Sequence, residues 1–136
     1  MFHNISAEEF NRIADIGNTN CLAFALGQTE SSSETYQGKY ILPYWDREGR
    51  RMLISEAFKR TASNLGIHVK MVSKAEQGHV YFLVFGWYSN GNFHVVRQNS
   101  DGSLEHKPDW YNPARKTTLE ELYDSGHYNP FIFQLL

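Results

Sequence analysis

The spacing of polar and apolar positions changes about midway along the chain. The first half carries the three-to-four spacing of helices, and the second alternates or runs apolar, as strands do. Ser6-Ala7-Glu8-Glu9 has the form of a capping box, and Phe10, Ile13 and Ala14 follow on one helical face up to Gly17. Asn18-Thr19-Asn20 then offers cap residues to an apolar run of good helix formers, Cys21 to Leu26, closed by Gly27. Residues 28–39 are polar and predict a loop, and Tyr40 to Trp45 is extended at best because Pro43 removes a backbone donor. From Ile54 to Leu65 the apolar positions share one face, and Gly66 stops the helix.

Past Gly66 the pattern predicts strands. Val69 to Val72 is a short one, and His79 to Tyr88 is a longer one rich in β-branched and aromatic residues. Asn90-Gly91 is a hairpin turn with Phe93 to Asn99 as the returning strand. Asn99-Ser100-Asp101-Gly102 reverses the chain again into Ser103 to His106, completing a three-strand meander. Thr117 or Thr118 caps a short helix through Tyr123, and Phe131 to Leu136 forms a last strand. Helices first and an antiparallel sheet after predict an α+β fold, in one domain over residues 1–136.

Composition narrows the classes. A chain of 136 residues buries about two-thirds of its unfolded surface, and 41% hydrophobic with 15% aromatic content excludes disorder. A net charge of -2 gives no general attraction to nucleic acid or anionic lipid, and Arg50-Arg51 reads as a solvated spot. The longest apolar stretch, Val80 to Tyr88, is too short to span a membrane. The N-terminus lacks the basic start and apolar run of a signal peptide, so the expected location is cytoplasmic, or outside the cell by a secretion system that needs no such signal. The one cysteine excludes an internal disulfide. His3, His68, His79 and His127 show no paired ligand spacing, so neither a metal nor another cofactor is expected.

Two residues carry candidate chemistry. Cys21 opens a helix, where free N–H groups and the positive dipole end favour a thiolate. The same residue in an apolar helix also reads as a small buried hydrophobe. His94 opens a strand, and alternation puts His94, Val96 and Gln98 on one face with Phe93, Val95 and Arg97 on the other. Taken alone it is a strand histidine satisfied by a neighbour.

Their order is more telling. A cysteine opening an early helix, in Asn20-Cys21-Leu22-Ala23-Phe24-Ala25, followed by a histidine opening a meander strand, resembles the papain-like cysteine hydrolases, in particular their NlpC-type and CHAP-type bacterial branches. The segment His94-Val95-Val96-Arg97-Gln98 with Gly102 and His106-Lys107-Pro108 also resembles a set of small bacterial proteins of the same layout. The resemblance implies N-terminal helices packed on an antiparallel meander, Cys21 as nucleophile, His94 as general base, and a third polar residue orienting the base. NlpC-type enzymes often place a histidine there about a dozen positions on, which is His106, whereas the CHAP-type pattern favours Asn112 or Asp109. Asn20 stands where the NlpC-type cysteine is often preceded by Asp. Asn18 and Asn20 are either helix caps or side-chain donors to an oxyanion.

The implied activity is attack on an amide: a peptidoglycan or peptide amidase, a protease or a glutamine deamidase, in an effector- or toxin-like protein. The implied partners are a peptide, protein or peptidoglycan substrate and an inhibitor or immunity protein. The competing readings are a non-catalytic binding, immunity or adaptor module on the same scaffold, and an acyltransferase. Trp87 reads as core, while Tyr88, Trp110 and Tyr111 are candidates to line a groove.

Overall fold

A computed structural model describes residues 2–30, 40, 53–86 and 93–136. The expected Asn90-Gly91 turn, Trp87, Tyr88 and most of the expected loop at 28–39 lie outside these residues. Helix α1 spans Ala7–Ile13, and the Ser6 hydroxyl caps it by accepting from the Glu9 amide at 3.2 Å. The reciprocal half of the capping box is missing, because the Glu9 carboxylate turns to Arg12. Helix α1 stops short of Gly17, with a separate 3-10 turn at Ile16–Asn18. Phe10 is fully buried, but Ile13 is 52% exposed, against the shared face expected for it.

Helix α2 spans Cys21–Ala25, every residue buried. Gly27 ends its segment with φ +71, and a Cβ there would come within 1.9 Å of the His3 carbonyl oxygen. Helix α3 covers Ile54–Asn64 and packs Phe58 against Phe82 and Phe133, with ring centroids 5.5 and 4.8 Å apart. No described helix is long and apolar enough to cross a membrane.

The strands are β1 (Val69–Val72), β2 (Tyr81–Gly86), β3 (Phe93–Gln98), β4 (Leu104–His106), β5 (Arg115–Thr117) and β6 (Phe131–Leu135), with helix α4 (Leu119–Asp124) between the last two. They form a six-stranded antiparallel sheet in the order β1-β6-β2-β3-β4-β5. The α+β arrangement expected from the sequence is therefore present. The meander runs to a fourth strand, β5, which the residue pattern did not predict. The last strand inserts between β1 and β2.

Period-two alternation splits the sheet residues cleanly. Phe82, Val84, Val95 and Phe133 join Leu22, Ala23, Ala25 and Phe58 in the larger core under α2 and α3. Leu83, Phe85, Val96 and Leu104 join Leu122 of α4 on the opposite face. Arg97 is wholly buried, with its guanidinium 4.6 Å above the Phe24 ring and 3.7 Å from the Glu105 carboxylate. It donates to the Ile5 carbonyl, while Glu105 accepts from the Ala7 amide and the Asn99 side chain, each at 2.7 Å. This ion-pair network fastens the start of α1 to β3 and β4.

Candidate active site

Cys21 is the first residue of α2. The Asn20 side-chain oxygen accepts from the Ala23 amide at 2.9 Å, which fixes where the helix begins and leaves the thiol at its first turn. The thiol lies near the backbone amides of Val95, on β3, and of Leu22 and Cys21 itself, which favour its charged form. Val95 is the residue after His94. Burial drives the Cys21 pKa up to about 11; the three amides and, more weakly, the Lys107 ammonium oppose that rise.

His94 projects from β3 toward the α4 face, as Val96 does. Its Nε2 is 2.7 Å from Nδ1 of His106, so the two histidines predicted from spacing do meet. The reason lies in the register. The β3–β4 ladder pairs Gln98 with Leu104 and Arg97 with Glu105, which places His106 on the face of Val96, diagonal to His94. Both imidazoles are 6% exposed. Burial first, then neighbouring positive groups, hold His94 down at about 3 and His106 at about 4. At neutral pH the thiol and both imidazoles are therefore neutral. Against the expectation that His94 approaches the start of α2, they lie on opposite faces of the sheet: Cys21 on the α2 face with Val95, His94 and His106 on the α4 face with Phe85 and His127. No hydrogen bond joins the Cys21 thiol to His94 among the described residues; the thiol contacts the strand backbone next to it.

The other candidates are committed elsewhere. The Asn18 amide donates to Asp15 at 2.6 Å on an exposed turn. Asp109 and Asn112, the alternatives to His106, bond each other: Asn112 Nδ2 lies 2.8 Å from one Asp109 oxygen, and the other oxygen accepts the Tyr111 and Asn112 amides. Trp110 and Tyr111 are exposed, at 39% and 85%.

Two residues near these groups were not singled out from the sequence. His127 follows α4, and its ring stands 5.0 Å from the His94 ring and 5.5 Å from Phe85, with Nδ1 buried and unpartnered. Only the return of α4 across the sheet places it there. Lys107 is wholly buried and donates to the carbonyls of Asp109 and Trp110 at 2.7 and 3.0 Å. Burial lowers its pKa, while Asp109, Cys21 and Asp15 act in the other direction. Alternation after His106 points Lys107 toward α2, and that signal was legible. Comparison of the chain with protein-family profiles and with curated proteins returns no match.

Proposed function

We propose that the chain is a papain-like cysteine hydrolase that attacks an amide carbonyl with Cys21, uses His94 as general base, and orients His94 through His106. The observation that carries this reading is the 2.7 Å contact between His94 Nε2 and His106 Nδ1. It engages Nε2 and leaves Nδ1 as the basic nitrogen, provided that Nε2 carries the proton.

The steps balance as follows. The reading requires the His94 ring to turn from the α4 face to the thiol in the substrate complex. Then, as sulfur bonds to the carbonyl carbon, the thiol proton passes to His94 Nδ1 and the carbonyl electron pair moves to oxygen. Backbone N–H groups at the α2 start donate hydrogen bonds to that oxyanion. Collapse breaks the C–N bond, and His94 returns the proton to the departing amine or ammonia. Water, deprotonated by His94, then cleaves the thioester to a carboxylic acid and restores the thiol. Because the resting thiol is neutral, proton transfer accompanies attack instead of preceding it. Peptide, protein side-chain and peptidoglycan amides all fit this chemistry, with an inhibitor or immunity protein as a further partner.

The second reading is a non-catalytic module on the same scaffold. One observation favours it: burial lifts Cys21 to about 11, the mark of a core thiol. An activated ester separates the two. With p-nitrophenyl acetate at neutral pH, the hydrolase reading expects an acetyl group on Cys21, detected by intact mass, that turns over and is lost in the variant His94→Ala. Acetylation that is absent, or indifferent to His94→Ala, rejects the hydrolase and leaves the module.

A further inference from the structure

His106 Nδ1 is engaged by His94, but its Nε2 is buried and has no hydrogen-bond partner. A buried ring nitrogen without a partner is costly whichever tautomer it holds. The hydrolase reading settles the tautomer. If His94 is to accept a proton at Nδ1, its Nε2–H donates to His106 Nδ1, and His106 then carries its own proton on Nε2. That N–H needs an acceptor.

The sheet register shows where one stands. The β4–β5 ladder pairs Leu104 with Thr117 and His106 with Arg115, so Thr117 and His106 lie on one face as diagonal neighbours. Such neighbours are about 7–8 Å apart, within reach of a long side chain. Glu121 leans down from α4 onto that face, and its Oε2 accepts from the Thr117 hydroxyl at 3.0 Å. Its Oε1 makes no hydrogen bond among the described residues.

We propose, on the basis of that hydrolase reading, that Glu121 is a positioning residue whose free oxygen accepts the His106 Nε2 proton and so fixes the tautomer of the whole relay. The relay runs from His94 through His106 to Glu121. The charged and titratable groups around His106 are consistent with this role: Arg115 on β5 and His127 after α4 oppose protonation of His106, and Glu121 favours it. Glu121 is the only carboxylate acting on this imidazole among the described residues, and a turn of its side chain would bring the free oxygen to the unpartnered Nε2.

The test is long-range ¹⁵N–¹H correlation of the histidine rings in the full chain at neutral pH. The expected result is His106 in the Nε2–H form. In Glu121→Ala the ratio of Nε2–H to Nδ1–H falls about tenfold or more, the loss of one hydrogen bond to a charged acceptor. Glu121→Gln, whose amide oxygen still accepts, restores the ratio. Thr117→Val keeps the carboxylate and leaves the ratio as in the parent. Wild-type His106 found in the Nδ1–H form overturns the proposal without any variant, as does a Glu121→Ala spectrum that shows the parent's ratio. The tautomer readout needs no activity. Loss of Cys21 acetylation would therefore sink the hydrolase while these spectra still judged Glu121, and the reverse outcome would remove Glu121 alone.

Discussion

Acid should unfold this protein in a pH range set by its buried imidazoles. Both ring pKa values are depressed below the ordinary 6.5, His94 to about 3 and His106 to about 4. The unfolded chain therefore binds protons that the folded chain refuses. Their contribution is complete above about pH 6.5 and is lost as pH falls toward the folded values. Between pH 7 and 5 an imidazole held neutral loses about 2 kcal/mol relative to an unperturbed one, at ~1.4 kcal/mol per pH unit. His94 contributes all of that. His106, whose pKa is held down less far, is allowed a discounted share of about 1 kcal/mol. The sum, about 3 kcal/mol, is a large share of the ~5–15 kcal/mol typical of a domain. Asp101 and Asp109, whose pKa values are lowered by Ser103 and Asn112 respectively, titrate below this window and do not confuse it. Urea unfolding at several pH values is the assay. With m near 2 kcal/mol/M, the midpoint should drop by roughly 1.5 M between pH 7 and 5. The double variant His94→Gln, His106→Gln should lose most of that dependence. A midpoint that stays flat over this range would show that both rings titrate freely, and the argument for a buried pair would fail.

Further outcomes follow from the same geometry. The Cys21 thiol, lifted to about 11 by burial, should alkylate with iodoacetamide at a rate that still climbs about tenfold per pH unit past 9; a plateau below 9 refutes the burial argument. Glu105→Ala strands the buried Arg97 charge and the Ala7 amide, so calorimetry and urea unfolding should show a loss of about 3–5 kcal/mol, and a loss under 1 kcal/mol would mean the network carries little. Gly27→Ala meets both a left-handed backbone and the His3 carbonyl, which predicts about 2–3 kcal/mol of destabilisation; an unchanged melting midpoint would contradict the close approach of the N-terminal segment.

Much of the fold was legible from local signals. Cap residues and glycines bounded α2, α3 and α4 to within a residue or two, because helix ends are decided by side chains that reach only three or four positions. Alternation along Phe93 to Gln98 assigned every residue to its observed face, and the spacing from His94 to His106 was right because a tight turn joins β3 and β4. Strand β5, Arg115-Lys116-Thr117, carries no apolar pattern and is a strand only because Leu104, Glu105 and His106 offer it an edge to pair with. Ile13 looked buried on a helical wheel, yet how far α1 extends and which way it faces are set by Phe10 against Phe24 and by Glu105 at its first amide. The sequence alone thus determined where along the chain Cys21 and the paired histidines fall, at the start of α2 and on β3 and β4. Only the tertiary structure decided their state: the neutral thiol, the two neutral imidazoles, the buried Lys107, and His127 and Glu121 brought across by α4. Hydrogen bonds of short range are written into neighbouring residues, whereas burial is a property of everything packed around them.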